Sequence, residues 1–281
     1  MRAIGLTISA ILLIRASAAE TAVFVEGSEW VTVGEGYNIV EGIAQGKDGS
    51  IYLTDVPDSE LIRIDPEGKT SVLDKQSLKA NGLAMAADGQ LLAASMAEPA
   101  ILSWDLQTGQ RRSIALPSPA NDLAITSTGH LYCTWGEANA VYQFKLADPA
   151  PRKVADLPHP NGITLSHDGR EVWVGEFHGN TVRAFPIQPD GALGPSRAAF
   201  TAQVPADGKG LLDGMTPLPD GRLLVATALG VQILSPSAPP ILIPNPTTHR
   251  ANYVRILSDP QGQRWMFVAH IKSVLKRRTL L

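Results

Sequence analysis

Six residues with a side-chain oxygen stand at the start of six similar segments of the chain. They are Glu41, Asn81, Asn121, Asn161, Asp213 and Asn252, separated by 40, 40, 40, 52 and 39 residues. Each offers an oxygen that can accept a hydrogen bond or bind a metal ion, and two are carboxylates. If the side chains converge, the carboxylates repel one another unless a cation or a proton lies between them. The set therefore suggests the binding of a hard cation.

Most of these residues have a second explanation as turn formers. Asn-Gly occurs at Asn81 and Asn161, and Asp-Gly at Asp213. Such pairs favour tight turns because Asn and Asp tolerate positive φ. For a single position the turn explanation is the stronger one. It does not explain Glu41, because glutamate tolerates positive φ less readily, and it weakens when all six positions carry an oxygen.

The segments that begin at these residues are repeats with a common register. In the first five, a glycine follows eight positions after the start, and in the sixth it follows ten positions after. These glycines are Gly49, Gly89, Gly129, Gly169, Gly221 and Gly262. Each unit contains a short strand, a glycine turn, a second apolar strand and two further strands, as in residues 61–64 and 71–73. Long helices are disfavoured by the glycine turns and β-branched runs.

Four strands in each period of about 40 residues are typical of a propeller blade. The sequence predicts an all-β, six-bladed β-propeller with four-stranded blades. The sixth unit reaches the end of the chain after three strands, so residues 22–25 are expected to supply its outer strand and close the ring. Because residues at equal offsets lie at equal height around the channel, the six oxygen-bearing residues should form a ring at one mouth. Oxygen-only ligands favour Ca²⁺, followed by Mg²⁺ and Mn²⁺, whereas Zn²⁺ more often takes His or Cys.

Composition agrees with a β-rich domain and excludes one class of partner. Gly and Pro together make 46 of 281 residues, above the average share, as expected for many strands joined by turns. The net charge is −3 and the basic residues are scattered, so we expect no binding to nucleic acid. We expect a small-molecule substrate, while the oligomeric state stays open.

The first nineteen residues are predicted to be a signal peptide. Arg2 precedes a mostly apolar stretch from Ala3 to Ile14, and small residues follow from Ala16 to Ala19. Twelve residues are too few to span a bilayer, so no membrane span is expected in the mature chain. Residues 20–281 would then form one exported propeller domain, periplasmic or secreted. Cys133 stands in a predicted strand and is expected to be a buried, inert thiol.

The sequence resembles the senescence marker protein, gluconolactonase and luciferin-regenerating enzyme family of six-bladed propellers. The resemblance covers nearly all the predicted mature chain and is carried by EG at Glu41, PNGITLSHDGREVWV around Asn161 and the long approach to Asp213. It implies a metal held by Glu41, Asn161 and Asp213, with Asn121 and Asn81 available for the substrate. It also implies metal-dependent hydrolysis of a lactone or small ester, in which Asp213 accepts a proton or acts through the metal.

The chain departs from the family pattern at two places. Ile43, Ala44 and Gln45 follow the EG pair where the family often has proline and a downstream tryptophan. Pro119 replaces an arginine that commonly binds substrate. These departures weaken the expectation of a sugar-acid lactone as substrate. They leave open an exported propeller that binds a ligand or protein, with a structural calcium and no catalysis.

The register also assigns the histidines to faces of the predicted propeller. His130 and His167 lie by glycine turns, so we expect them at the surface opposite the mouth. His159, His178, His249 and His270 are expected on the mouth side. His159 stands two residues before Asn161, which makes it the candidate proton donor or substrate contact.

Overall fold

The computed structural model describes residues 23–280, and these residues form a β-propeller of 22 strands. Residues 20–22 and the predicted signal peptide lie outside this range. The described residues include no helix, so none is available there to cross a membrane. The all-β propeller class that the repeats predict is therefore confirmed.

Four sheets have four antiparallel strands each, and each contains one of the four middle repeats. The second repeat forms β5 (Ala80–Met85), β6 (Leu91–Ser95), β7 (Ala100–Trp104) and β8 (Arg111–Ala115). The third forms β9 (Leu123–Ile125), β10 (His130–Trp135), β11 (Ala140–Lys145) and β12 (Asp148–Asp156). The fourth forms β13 (Pro160–Leu165), β14 (Glu171–Glu176), β15 (Thr181–Pro186) and β16 (Arg197–Thr201). The fifth forms β17 (Met215–Pro217), β18 (Leu223–Thr227), β19 (Gly230–Leu234) and β20 (Ile241–Pro244).

The first and sixth repeats share one sheet of six strands in the order β21-β22-β1-β2-β3-β4. Its strands are β1 (Val31–Gln45), β2 (Ile51–Asp55), β3 (Glu60–Ile64), β4 (Thr70–Asp74), β21 (Ala251–Ser258) and β22 (Arg264–Arg278). Counted by hydrogen-bonded sheets within residues 23–280, the propeller has five blades, so the prediction of six four-stranded blades is wrong. The reason is β1, whose fifteen residues pair first with β22 and then with β2, so that the backbone ladder runs from the sixth repeat into the first.

Ring closure also differs from the prediction that residues 22–25 supply the missing strand. Phe24 makes an isolated bridge to Thr279, whereas Val31 to Ile39 of β1 forms the ladder with β22. Strand β22 also brings its own two ends together, because the N–H of Thr279 donates to the carbonyl oxygen of Arg264 at 3.0 Å. Lys272, near its middle, has φ of 75°. The chain thus closes the ring mainly through β1, a strand that also begins the first repeat.

Buried apolar side chains fill the spaces between successive repeats. Six such clusters lie within residues 23–280, and one of them joins the first repeat to the sixth through Val40, Ile43, Leu53, Tyr253 and Phe267. Each large side chain buried in this way contributes about 1.5–3 kcal/mol. Packing between repeats therefore holds the innermost strands, and the residues that begin them, around a central channel.

The glycine turns adopt the predicted conformation at all six positions. Gly49, Gly89, Gly129, Gly169, Gly221 and Gly262 have φ between 69° and 92°. The N–H of each donates to the carbonyl oxygen three residues earlier. A side chain at such φ is strained, so glycine is favoured there. Cys133 in β10 is buried, as predicted, and burial raises the pKa of its thiol to about 12.

Candidate functional site

The residues that begin the innermost strands are linked to one another around one end of the channel. The N–H of Gly82 donates to the carbonyl oxygen of Asn121 at 3.0 Å, and the N–H of Gly214 donates to that of Asn252 at 3.0 Å. In both cases the glycine directly follows a ring residue of the preceding repeat. Because these hydrogen bonds join consecutive repeats, residues from consecutive repeats lie next to each other in the ring.

Two threonines make the same link through their hydroxyl groups. Thr54 Oγ1 accepts the N–H of Gly42 at 2.8 Å and donates to the carbonyl oxygen of Asn81 at 2.9 Å. Thr134 Oγ1 donates to the carbonyl oxygen of Asn161 at 2.6 Å. The main chains of Asn81, Asn121, Asn161 and Asn252 are therefore each tied to the preceding repeat.

Close packing beside Asp213 requires a glycine after Asn161. A Cβ atom on Gly162 would lie 2.0 Å from the main-chain oxygen of Asp213, which is far inside van der Waals contact. Asn161 and Asp213, two of the predicted metal ligands, are thus held next to each other by the backbone. The absence of a side chain at position 162 allows this approach.

Two buried acidic side chains of the ring, Glu41 and Asp213, influence each other electrostatically. The pKa of the Glu41 carboxyl is raised well above its ordinary value, first by burial and then by the negative charge of Asp213. Burial also raises the pKa of Asp213, to about 6, although Arg250 opposes this effect. Arg250 Nη1 donates to Asp213 Oδ2 at 2.9 Å. Because Arg250 contacts Asp213 directly, we expect Glu41 to take up a proton first.

The amide side chains add oxygen atoms that lack protein partners. Asn161 Oδ1 is buried and has no hydrogen-bond partner, and Asn252 has none for either side-chain atom. Two carboxylates and an unpaired amide oxygen are a donor set suited to a hard divalent cation. No group of three or more His, Cys, Asp or Glu residues within residues 23–280 has the arrangement of a metal site. The candidate set of Glu41, Asn161 and Asp213 includes only two such residues, so it relies on the amide for its third oxygen.

Asn81 and Asn121, the predicted substrate contacts, have different environments. Asn81 is buried, and its Nδ2 donates to the sulfur of Met96 at 2.8 Å, so its amide is already engaged. Asn121 is half-buried and lines a cavity of about 210 Å³. Of the two, Asn121 has the position from which a substrate can be contacted.

A second layer of polar groups lies beside the ring, deeper in the channel. Asp122 is buried, and its carboxylate accepts the N–H groups of Leu123 at 2.8 Å and Ile163 at 3.2 Å. Burial nevertheless raises its pKa to about 7. Tyr253 is also buried, and its hydroxyl accepts a hydrogen bond from Arg255 at 2.8 Å. This layer gives the channel a third acid and a second arginine.

Sequence reasoning missed Asp122, Tyr253 and Arg250, although the register of the repeats contains a signal for each. The residue after the ring position is glycine at Gly42, Gly82, Gly162 and Gly214, but Asp122 and Tyr253 in the other two repeats. A large polar residue among glycines marks a side chain that fills the channel. Arg250 stands two residues before Asn252, at the same offset as His159 before Asn161.

His159 lies at the rim of the mouth and is exposed. Its ring packs edge-to-face against that of His178, with 4.8 Å between the centroids. The main-chain N–H of His159 donates to Asn139 Oδ1 at 2.8 Å, and the φ of His159 is 40°. His159 and Asn161 line the same 210 Å³ cavity, so its proposed contact with substrate stays a prediction.

The other histidines differ in burial. His270, expected on the mouth side, is completely buried without a hydrogen bond to either ring nitrogen, and burial lowers its pKa to about 4. His130, expected at the surface, is buried instead, with Nδ1 lying 2.8 Å from Gln143 Nε2. The prediction for His130 is wrong because its side chain points into the sheet packing beside β11. His167 is exposed as expected.

The buried acids predict an unusual pH dependence of stability. The pKa of Asp122 is raised to about 7, so between about pH 4 and pH 7 the folded chain binds more protons than the unfolded chain. The free energy of unfolding of the metal-free protein should therefore decrease as pH rises through this window, by up to about 1.4 kcal/mol per pH unit for one group. Urea unfolding in the presence of a chelator, from pH 5 to pH 8, measures this decrease in the free energy of unfolding.

The matched variant for this measurement is Asp122→Asn. It should have a smaller slope than the parent chain over the same window, because the titrating group has been replaced. Its absolute stability is not the readout, since the amide also loses one of the two backbone hydrogen bonds. Equal slopes for the two chains would show that Asp122 does not titrate in this range.

The fold and the mouth define the class of protein. It is a β-propeller whose channel opens on a ring of acidic and amide side chains. The sequence model of the SMP-30/gluconolactonase/LRE-like region matches residues 33–238, and the chain belongs to that family. The resemblance noted from the sequence motifs is thus confirmed. The chain has no match among curated proteins.

Solved structures show that the fold is shared along most of the chain. A gluconolactonase from Xanthomonas campestris is 22% identical, with a TM-score of 0.80, and the match covers 94% of this chain and 93% of that one. A calcium-binding protein, regucalcin from Agrobacterium tumefaciens, is 16% identical, with a TM-score of 0.73 and coverage of 88% and 93%. A luciferin-regenerating enzyme is 18% identical, with a TM-score of 0.71 and coverage of 91% and 96%. At these identities the likeness establishes the fold.

Proposed function

We propose that the chain is a divalent-cation-dependent hydrolase of a lactone or small ester, with Ca²⁺ as the favoured cation. The observation that carries the proposal is the electrostatic interaction of the buried Glu41 and Asp213 carboxyls in a ring that also contains Asn161 Oδ1, a buried oxygen without a partner. Membership of the gluconolactonase-like family supports hydrolase activity. The calcium-binding relative supports a cation in this fold but does not identify the one used here.

Glu41, Asn161 and Asp213 are the residues that would hold the cation. When bound, it would polarise the substrate carbonyl and stabilise the negative charge that develops on its oxygen. Arg250 engages Asp213 through Oδ2, which leaves Oδ1 free of that contact. We assign to Asp213 the acceptance of a proton from the attacking water. As the ring C–O bond breaks, that proton passes to the leaving oxygen and the product is a hydroxy acid.

Asn121 and His159 are proposed to contact the substrate from the wall of the mouth. Both line the cavity that also contains Asn161. The Asn121 amide can donate to a substrate oxygen, and the exposed His159 can donate a proton or a hydrogen bond. The edge-to-face contact with His178 keeps the imidazole of His159 at one edge of the mouth.

The test has two stages that separate binding from catalysis. Chelated protein is titrated with Ca²⁺, Mg²⁺, Mn²⁺ or Zn²⁺ by calorimetry, and cation-dependent thermal stability is measured, since ligation stabilises the native state by mass action. The loaded protein is then assayed against a panel of lactones and aryl esters. No binding of any cation contradicts the proposed site. Binding without turnover indicates a non-catalytic propeller with a structural cation, an alternative that Pro119 favours because it stands where the family commonly has a substrate-binding arginine.

Arg250 should oppose the cation, because it neutralises one of the proposed ligands. Replacing it in Arg250→Gln is expected to increase the affinity for Ca²⁺ about tenfold or more, since one positive charge is removed beside the site. It should also make the metal-free protein less stable, because Glu41 and Asp213 then repel each other without compensation. Calorimetry and thermal unfolding in chelator measure both effects.

The control for this substitution is Arg183→Gln. Arg183 donates to Glu176 at 3.0 Å, forming a part-buried ion pair outside the ring. Its removal should leave Ca²⁺ affinity unchanged within about twofold, because such pairs contribute little. Equal affinities for Arg250→Gln and the parent chain would show that the Arg250 pair does not compete with cation binding.

A further inference from the structure

A cavity of about 210 Å³ lies beside the ring and includes Asn121 and Asn161 in its lining. Cavities of about 630, 530, 390 and 360 Å³ lie elsewhere, and none of them contains a ring residue. The smaller cavity therefore adjoins the proposed reaction centre, because two ring residues line it. It is smaller than the cavities that usually bind drug-sized ligands, so it suits one ring or a short chain.

The lining of this cavity includes a set of apolar side chains, Met96, Pro119, Trp135 and Phe177. Its polar side chains are those of Asn121, Glu137, His159 and Asn161. Met96 is 45% exposed, although its sulfur accepts a hydrogen bond from the Asn81 amide. An exposed apolar side chain whose sulfur is held by a hydrogen bond can pack against an apolar ligand.

The two aromatic walls are supported from outside the cavity. Trp135 packs against Tyr142 with 5.7 Å between ring centroids. Phe177 packs against His178 at 5.0 Å, and the guanidinium of Arg250 lies 5.8 Å from its ring. These contacts fix both rings without filling the space between them. Preformed aromatic walls favour an apolar group, because a hydroxyl placed against the faces of these two rings would give up water without a hydrogen-bonding partner there.

From this lining we propose that the substrate carries a small alkyl or aryl group beside its lactone or ester, and that this group binds among Trp135, Phe177 and Met96. The inference rests on the proposed function, because it assigns the substrate class of the same site. The reacting carbonyl lies at the ring, next to Asn121 and Asn161, and the apolar group lies along the adjoining wall. A polyhydroxylated lactone is disfavoured by the same wall.

The first experiment compares two δ-lactones with the Ca²⁺-loaded protein, one bearing a five-carbon alkyl chain and the other glucono-δ-lactone. The alkyl lactone should have a kcat/KM at least about tenfold higher, as expected for burial of an apolar group. Trp135→Ala should increase KM for the alkyl lactone about tenfold with little change in kcat, because the wall binds ground state and transition state alike. Trp135→Phe should restore most of the loss.

Met96→Gln provides a second variant in case Trp135→Ala does not fold, since an exposed side chain tolerates replacement. It should increase KM for the alkyl lactone severalfold and increase KM for glucono-δ-lactone less, because only the alkyl chain packs on the Met96 side chain. Leu73→Gln is the control, because Leu73 is 37% exposed and lies outside this cavity. A preference for glucono-δ-lactone, or equal effects of the cavity variants on both substrates, would overturn the proposal.

Failure of the proposed function gives a different result. If the loaded protein hydrolyses no lactone, calorimetry with a cyclic ketone bearing a five-carbon chain tests the cavity directly, since the ketone cannot be hydrolysed. Binding by the parent chain that weakens about tenfold in Met96→Gln or Trp135→Ala supports the apolar site without the hydrolase. Absence of ketone binding overturns the apolar site as well.

Discussion

Asp213→Asn should reduce kcat for lactone hydrolysis by about 10²–10⁴ at saturating cation while the fold survives. The substitution keeps the size of the side chain and one oxygen acceptor but removes a negative charge and the proposed proton acceptor. It should also weaken cation binding, because one anionic ligand is lost. The assay therefore requires a cation titration for each variant, so that occupancy is separated from catalysis. Far-ultraviolet circular dichroism verifies the fold.

Asn252→Ala is the matched control for this substitution. Asn252 belongs to the same ring and is buried, but it lies outside the proposed ligand set of Glu41, Asn161 and Asp213. Its contact with Gly214 uses the main-chain oxygen, which the substitution retains. We expect kcat to fall much less than in Asp213→Asn. Equal losses would show that the ring acts as a general polar lining, and the assignment of Asp213 as proton acceptor would be wrong.

Gly162→Ala should be among the most disruptive single-methyl additions near the site. The new Cβ atom would lie 2.0 Å from the main-chain oxygen of Asp213 and 3.1 Å from Met215 Cε. Because the first of these atoms belongs to the backbone, β13 and the segment that contains Asp213 must separate. We expect the free energy of unfolding to decrease by about 3 kcal/mol or more, and Tm to decrease by about 6–12 °C. Cation affinity should decrease as well, since Asn161 and Asp213 move apart.

Gly136→Ala provides the comparison for this change. Its Cβ atom would meet only the main-chain oxygen of Pro160, at 3.6 Å, which is an ordinary contact. Its φ lies outside the left-handed region, so alanine introduces no strain there. The substitution should change the free energy of unfolding by less than about 1 kcal/mol. If both alanine variants unfold at the parent temperature, the close approach of Gly162 to Asp213 does not exist in solution.

The glycine turns show how much of the fold the sequence alone determines. A glycine at each repeat marks the same backbone conformation, with φ from 69° to 92° at all six positions. The oxygen-bearing residues share that register, and hydrogen bonds such as Gly82 to Asn121 bring neighbouring repeats together in the order of the chain. Such features are local or periodic, so a single sequence contains them.

Closure of the propeller depended on pairing between distant parts of the chain. Val31 pairs with Lys276, a separation that no local pattern specifies. The sequence indicated that an N-terminal strand closes the ring but identified residues 22–25, whereas the structure uses most of β1. Because β1 is long and unbroken, it pairs with β22 of the sixth repeat and with β2 of the first, and the two repeats therefore share one sheet.

For the candidate site, the sequence determined the types of ring residue, and the tertiary structure decided their charges and partners. Glu41 and Asp213 could be selected from the repeats, but the Arg250 contact at 2.9 Å was visible only after folding. The raised pKa of Asp122, the buried His130 and the apolar wall at Trp135 also followed from tertiary packing. The physical reason is that spacing fixes where a residue stands on its strand. Burial, pKa and ligand shape depend on side chains contributed by other strands and repeats.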